Sequence, residues 1–256
     1  MKKALIIGIN YYGKDFELKG SIRDAEFFKE FLINNYGYQE QNILLLTDNT
    51  EIKPTKENIF NGFNWLLSDR NNVFTMLTNK ETIESVRNAH LTFYFAGHGA
   101  QRIIDRKKRE IISSHDEKYI LDTEIYDALI SKIPETCKLS CVIDACHSGT
   151  IVNAPYVLRY NGKDYTLNYN GGEKPQGGEV ISIAASEDNQ KTVELQTTKD
   201  AYGIMTLCLI QILKRERVTY LQLLQNLEKE IQKFNPNQSP VISFGSRFEP
   251  RRYVTF

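Results

Sequence analysis

The stretch Cys141–Gly149 places the tightest constraint on what this chain can fold into. Its apolar residues end abruptly in Asp144-Ala145-Cys146, and small residues follow. A short apolar run of this kind is typical of a buried parallel strand, and open α/β sheets bind their ligands at the carboxyl ends of such strands. We therefore expect a thiol at the edge of a parallel sheet.

A second stretch, Leu91–Gly99, has the same form. Its apolar run leads to His98, which stands between Gly97 and Gly99. Both strands are expected to end at the same edge of the sheet, so the sequence predicts a Cys146/His98 pair whose members are distant in the chain.

Composition limits the class of protein. The 256 residues, 41% hydrophobic and 25% charged, suffice for one large α/β domain, so we expect a single domain over residues 1–256. Lysine plus arginine and aspartate plus glutamate each number 32, so no overall charge favours a nucleic-acid partner. The apolar runs are short for a bilayer span or a signal peptide, so we expect a cytoplasmic protein without a membrane partner.

Strands and helices are predicted to alternate. The predicted strands are 4–9, 42–46, 91–96, the one ending at Cys146, 180–185 and 240–244, and the predicted helices are 21–36, 54–67, 122–133, 202–213 and 219–234. This alternation predicts an α/β fold with a mostly parallel sheet, six-stranded or slightly larger, between helices on both faces. Segments 101–116 and 150–179 are expected to be long loops beside the thiol and the imidazole.

The Cys146/His98 pair predicts nucleophilic catalysis by a thiol. A thiol becomes nucleophilic when it ionises, and His98 is the base expected beside Cys146. Gly99 has no side chain to obstruct a substrate carbonyl, so its N–H and that of Cys146 are expected to form an oxyanion hole. The alternative is a buried strand cysteine and an unrelated histidine. His147 should face the other way from its neighbour, so we expect a structural role for it.

These motifs resemble those of caspase-fold cysteine peptidases of clan CD. The stretch 94–101, Tyr-Phe-Ala-Gly-His-Gly-Ala-Gln, resembles their histidine motif, and Asp-Ala-Cys-His-Ser-Gly at 144–149 resembles their Asp-Ser-Cys-His-Ser-Gly nucleophile motif. The likeness runs from 4–12 to 238–240 and is strongest to metacaspases and to bacterial caspase-like and paracaspase-like peptidases. It implies a caspase-like three-layer sandwich, with Cys146 as nucleophile and His98 as general base.

The resemblance also implies a pocket for a substrate side chain. Asp144 should share the face of Cys146, because strand side chains alternate. Caspases that cut after aspartate have Gln there and an Arg in the first loop, where this chain has Leu18. Asp24 matches the pocket aspartate of the family, and Ser21 matches a smaller pocket residue. Two carboxylates favour Arg or Lys.

Two points about this pocket stay open. Glu194 matches a third pocket acid of paracaspases, although Asp188 competes for that position. Asp24 has an alternative role as a carboxylate that stabilises the first turn of a helix.

No metal or other cofactor is expected. Many metacaspases bind calcium through a paired Asp-Asp-Glu, and the match here is Asp122-Thr123-Glu124, with Asp116-Glu117 upstream. One expected ligand is thus a neutral hydroxyl, and calcium takes six to eight oxygens, generally with several carboxylates. We expect Asp122 to be a helix N-cap instead. The other cysteines lack metal-site or disulfide spacing and should be buried, reduced thiols.

The resemblance therefore implies a cysteine endopeptidase that cuts proteins after Arg or Lys, in regulated proteolysis or in a cell-death or defence pathway. Its partners would be protein or peptide substrates and, as an open option, a regulatory protein. The alternatives are a non-catalytic interaction module and a peptidase with a preference for Asp or Asn. Arg and Lys residues in 101–116 and 150–179 also suggest autoproteolysis in one of these segments.

Overall fold

The computed structural model describes residues 1–69, 85–146, 148–175, 177–185, 194–196, 201–246 and 248–256. Within these ranges no helix combines the length and apolar character needed to cross a bilayer. The strands are β1 (Lys2–Gly8), β2 (Ile43–Thr47), β3 (His90–Ala96), β4 (Gly99–Ile104), β5 (Lys107–Ser113), β6 (Tyr119–Leu121), β7 (Lys138–Asp144), β8 (Tyr156–Tyr160), β9 (Tyr165–Tyr169), β10 (Glu179–Ala184), β11 (Glu194–Gln196), β12 (Ala201–Gly203) and β13 (Val241–Phe244). The helices are α1 (Ser21–Tyr36), α2 (Lys56–Leu67), α3 (Asp122–Ala128), α4 (Ile204–Arg215) and α5 (Tyr220–Ile231).

The main sheet has eight strands in the order β2-β1-β3-β7-β10-β13-β8-β9. The pairs from β2 to β10 are parallel, and the pairs from β10 to β9 are antiparallel. The predicted α/β fold is confirmed, with a sheet somewhat larger than six strands.

Helices cover both faces of this sheet, because alternate residues of each strand point to opposite sides. On β3, Phe93 lies edge-on to Phe63 of α2, with ring centroids 5.2 Å apart. Its neighbour Tyr94 stacks on Phe28 of α1, at 4.5 Å. All four rings are buried. Helices α4 and α5 pack on the α1 face, and the core that contains α2 also includes residues of α3, β5 and β6.

The expected loop at 101–116 is wrong. Strands β4 and β5 form an antiparallel hairpin, and β6 adds a third strand. The hairpin turns at Asp105 and Arg106, whose φ angles are 50° and 62°. Positive φ at both central residues is the requirement of a tight two-residue turn, which usually contains glycine. The absence of glycine here concealed the hairpin.

The expected loop at 150–179 is also wrong in part. Strands β8 and β9 form a second hairpin at the end of the main sheet. Its turn contains Asn161-Gly162, where the Asn161 side chain accepts hydrogen bonds from the N–H groups of Lys163 and Asp164 at 3.0 and 2.7 Å. Asn-Gly between β-forming residues is a strong hairpin signal, and here the flanking tyrosines belong to the two strands.

Two helices begin at the residues that the sequence predicts, although Asp122 is the first helical residue and not the N-cap. Ser21 is the first residue of α1, preceded by Gly20. The Asn10 side-chain oxygen accepts from the N–H of Ile22 at 3.1 Å, so a residue from the preceding strand end satisfies this helix terminus. Asp122 likewise begins α3 and does not precede it.

Candidate active site

The parallel pairing of β3 with β7 brings the two motif residues together. Ala96 pairs with Asp144, and the N–H of Gly97 donates to the Asp144 carbonyl at 3.3 Å. His98 and Cys146 each lie two residues beyond that aligned pair. A Cβ at Gly99 would lie 2.2 Å from the Cys146 carbonyl oxygen, so only glycine allows this close approach of the two chain segments.

Cys146 is the partly exposed member of the four free cysteines, and Cys137, Cys141 and Cys208 are buried as expected. Burial raises the pKa of the Cys141 thiol, and it is the main cause that raises the pKa of the Cys208 thiol to about 12. Reactivity toward solvent reagents is therefore concentrated at Cys146. His147 lies outside the described residues.

The His98 ring is oriented by a backbone carbonyl that sequence reasoning did not identify. The Nε2 atom lies 2.6 Å from the carbonyl oxygen of Phe16. Because a carbonyl oxygen can only accept, this contact assigns the proton of a neutral ring to Nε2 and leaves Nδ1 as the basic nitrogen. The Phe16 ring lies edge-on to the imidazole, with centroids 5.5 Å apart.

Tyr11 supports the other side of His98. The two ring centroids are 4.8 Å apart. The Tyr11 hydroxyl accepts from the backbone N–H of His98 at 3.0 Å and donates to the Ser113 carbonyl at 2.8 Å. Burial, the main cause, raises the pKa of Tyr11, so this hydroxyl stays protonated and can serve as a donor.

Asp48, just after β2, holds Tyr11 in place. Its carboxylate accepts from the N–H groups of Asn10 and Tyr11 at 2.8 and 3.0 Å and lies 3.2 Å from Nδ1 of His115. Tyr11 has a φ of 55°, which is uncommon for a bulky residue and needs such support. Polar residues at the carboxyl ends of β1 and β2 were the sequence signal for this cluster.

The two predicted pocket carboxylates are also close together. Asp24 and Asp144 are buried, and Gly203 separates them. A Cβ at Gly203 would lie 2.8 Å from Oδ2 of Asp24 and 2.4 Å from Oδ2 of Asp144. The Gly203 N–H donates to Asp24 at 2.6 Å, and the N–H and hydroxyl of Thr206 donate to Asp144 at 3.0 and 2.7 Å. The Asp24 carboxylate thus accepts a bond from β12, far along the chain from its own helix.

These carboxylates create a negative electrostatic potential around them. The pKa of the buried Tyr94 hydroxyl lies well above its usual value, chiefly through burial and then through the charges of Asp24 and Asp144. Its hydroxyl lies 2.8 Å from the Thr206 side-chain oxygen, which also contacts Asp144.

The remaining pocket candidates are Ser21 and Glu194. Ser21 is buried at the start of α1, and its carbonyl oxygen would be 2.4 Å from a Cβ at Gly8. The backbone of Glu194 pairs with Gly203 in the β11–β12 ladder. The competing Asp188 lies outside the described residues.

The acidic residues considered for calcium contact cationic or N–H groups of the protein. Both Glu124 oxygens contact the ammonium of Lys56, at 2.7 and 2.9 Å. Asp116 accepts from the Lys56 N–H at 2.8 Å, and Asp122 lies 3.8 Å from the Arg109 guanidinium. In the part of the chain that is described, no three Asp, Glu, His or Cys side chains are grouped as metal ligands would be. These residues do not fit a calcium site.

Replacing Tyr11 with phenylalanine tests its support of His98. The ring remains, but the hydroxyl that joins the His98 N–H to Ser113 is lost. We expect iodoacetamide to alkylate Cys146 about threefold to tenfold more slowly at neutral pH, because a less ordered imidazole assists thiol ionisation less. Mass spectrometry measures this rate. Tyr169→Phe, at an exposed position in β9, should leave the rate unchanged, and an unchanged rate in Tyr11→Phe would contradict the assigned role.

Comparison with known proteins identifies the family of this chain. The sequence model described as "Metacaspase, peptidase C14 domain" matches residues 2–155, more than half of the chain. Metacaspase-1 of Eremothecium gossypii is 27% identical over 302 residues, covering 94% of this chain and 63% of that protein. Metacaspase-1 of Arabidopsis thaliana is 28% identical over 253 residues, covering 90% and 64%.

The chain thus spans a little less than two thirds of the length of these curated relatives. A crystal structure of a Geobacter sulfurreducens protein shares the fold, with a TM-score of 0.63 at 16% identity, over 97% of this chain and 95% of that one. From the family match and the relatives together, this chain belongs to the metacaspases, the C14 family of cysteine peptidases.

Proposed function

We propose that this protein is an endopeptidase that cleaves proteins after Arg or Lys through a Cys146/His98 dyad and a thioester intermediate. The observation that carries the proposal is the strand pairing that aligns these two residues, with Gly99 against the Cys146 backbone. By analogy with its family, we propose a role in regulated proteolysis or in a cell-death or defence pathway, with control by a regulatory protein as an option.

In the first half of the reaction, Nδ1 of His98 takes the proton of the Cys146 thiol. The thiolate attacks the substrate carbonyl, and the N–H groups of Gly99 and Cys146 stabilise the resulting oxyanion. The protonated imidazole then gives its proton to the leaving amine, so the peptide bond breaks and a thioester remains on Cys146. The Phe16 carbonyl stabilises the positive imidazolium through the Nε2–H.

In the second half, Nδ1 of His98 takes a proton from a water molecule. The hydroxide attacks the thioester, the same two N–H groups stabilise the oxyanion, and the carboxylic acid product leaves as the Cys146 thiol is regenerated. Protons balance over the cycle, and no cofactor is required.

The buried carboxylates support the preference for a basic side chain. A guanidinium or ammonium that reaches Asp24 and Asp144 beside Gly203 would donate charge-assisted hydrogen bonds to their carboxylates in a site with little competing water. Asp or Asn in the same position would face two like charges or gain no ionic partner, so these alternative preferences are disfavoured. A non-catalytic module would have no need for an accessible thiol aligned with an imidazole.

Short reporter peptides ending in Arg, Lys, Asp or Asn test the reaction. Wild type should release product from the Arg and Lys peptides, and Cys146→Ala and His98→Ala should each lower the rate at least about a thousandfold. Circular dichroism and thermal unfolding should show that both variants are folded, because both side chains lie beyond the last core residues of their strands. Turnover by folded Cys146→Ala at the wild-type rate would exclude the covalent mechanism.

Asp144→Asn tests the pocket. An asparagine side-chain oxygen can still accept from both Thr206 donors, so this substitution removes charge with little change in packing. We expect kcat/KM for Arg peptides to fall about tenfold to a hundredfold, and far less for a neutral residue. Asp105→Asn, in the exposed β4–β5 turn, is the matched control. Equal losses for charged and neutral peptides would indicate a structural role alone.

Self-cleavage forms part of the proposal, and the fold narrows its position. A protease binds its substrate as an extended, unpaired chain, whereas Arg102, Lys107, Lys108 and Arg109 lie in the paired strands β4 and β5. Lys174 is exposed between β9 and β10, but Pro175 follows it, and a bond to proline is a poor peptidase substrate. Lys163 is exposed in the β8–β9 turn, outside the paired residues, and is followed by Asp164. Prolonged incubation of wild type should yield a fragment ending at Lys163, and Cys146→Ala and Lys163→Ala should not. Arg106→Ala should still yield it. The same fragment from Cys146→Ala would contradict self-cleavage.

A further inference from the structure

A cleft borders His98, on the side away from Asp24 and Asp144. It has a volume of about 290 Å³ and is lined by Tyr11, Phe16, His98, Ala100, Ser113 and Tyr119, among others. The two carboxylates lie next to Thr206 and Tyr94, whose neighbours belong to the α1 and α4 layer. The β5 and β6 residues beside this cleft belong to the core that contains α2. The two carboxylates and this cleft, here called the His98 cleft, therefore lie beside different core layers of the sheet.

Three aromatic rings, those of Tyr11, Phe16 and Tyr119, line the His98 cleft together with polar and small residues. Phe16 and Tyr119 are 42% and 49% exposed, a large exposure for aromatic side chains that face a concavity. The Phe16 ring lies edge-on to Tyr11, with centroids 5.6 Å apart. Exposed aromatic side chains around a concave site are typical of a binding surface for an apolar group.

The charged residues at the rim already have protein partners. The Arg102 guanidinium lies over the Tyr119 ring, 5.6 Å from its centroid, and is 3.4 Å from the Tyr119 hydroxyl. Glu117 forms an ion pair with Lys14. Both charged residues of the lining thus already contact protein groups, which leaves the exposed Phe16 and Tyr119 side chains to contact a substrate.

The proposed mechanism indicates which part of the substrate lies at this cleft. The leaving amine must approach His98 to receive a proton, so the residue that carries this amine lies beside the imidazole. The side chain before the scissile bond points to the carboxylates on one face of the sheet. The chain after the bond then continues past His98, where the cleft begins.

We propose that the His98 cleft binds the side chain of the residue that follows the scissile bond and prefers an aromatic or large aliphatic side chain. This inference rests on the proposed peptidase function. Burial of that side chain between Phe16 and Tyr119 orients the leaving amine toward the imidazole, so the preference appears in kcat/KM.

A peptide library derived from a proteome tests both ends of the site at once. Mass spectrometry of the products reports the residue before each cut, which depends on Asp24 and Asp144, and the residue after it, which depends on the cleft. Internally quenched peptides with Arg before the bond and Phe, Leu, Gly or Asp after it then give rates. For wild type we expect kcat/KM to be at least about tenfold higher with Phe than with Gly.

Two variants and a control complete the test. Tyr119→Ala removes one wall, and Ala100→Phe fills the cleft, so both should lower the Phe-to-Gly ratio toward one. Tyr169→Ala, at an exposed tyrosine of β9 on the other hairpin, should keep the wild-type ratio. A wild-type ratio near one, or a ratio unchanged in both variants, would overturn the inference.

The outcomes separate this inference from the proposed function. Cleavage after Arg or Lys with no preference for the next residue overturns the role of the cleft and keeps the function. A preference for Phe or Leu after the bond without Arg or Lys before it overturns the pocket assignment and supports the cleft. Absence of any cleavage that depends on Cys146 overturns both.

Discussion

The register of β3 against β7 is the constraint on which the rest of the site depends. Ala96 opposite Asp144 places His98 and Cys146 at the same carboxyl edge of the sheet. A slip of one residue would move every side chain of one strand to the other face and separate the pair. The buried rings on both faces of β3 make such a slip costly, because Tyr94 and Phe93 fit different helix layers. The packing of the core thereby fixes where the strand ends that carry His98 and Cys146 lie.

The buried charge of Asp48 joins the two halves of the site. Its carboxylate holds the N–H groups of Asn10 and Tyr11, which follow β1. Tyr11 then supports His98, while Asn10 satisfies the first turn of α1, the helix that carries Asp24. One carboxylate at a strand end thus helps to position both the proposed base and a proposed pocket residue. The free-energy cost of desolvating a buried charge is offset only where the charged group is well hydrogen-bonded, as the Asp48 carboxylate is here.

The site has different physical character on the two sides of His98. On one side, the buried carboxylates of Asp24 and Asp144 concentrate negative charge. On the other, exposed aromatic rings offer apolar surface. A substrate bound across both would be held by electrostatics before the scissile bond and by burial of apolar area after it, and each contribution can be altered separately by mutation.

Local sequence patterns were enough to predict the strand ends and to propose Cys146, His98, Asp24 and Asp144 as site residues, because apolar runs, alternation and motif likeness are all properties of short stretches. The β4–β5 hairpin was not predicted, because its turn lacks glycine. The second hairpin was not predicted either, although Asn161-Gly162 is a hairpin signal. Only the tertiary structure revealed the contact of His98 with the Phe16 carbonyl and its support by Tyr11 and Asp48. The tertiary structure also showed that Asp24 and Asp144 both lie beside Gly203. Backbone carbonyls have no sequence signature, and contacts between distant segments depend on the way the strands and helices pack.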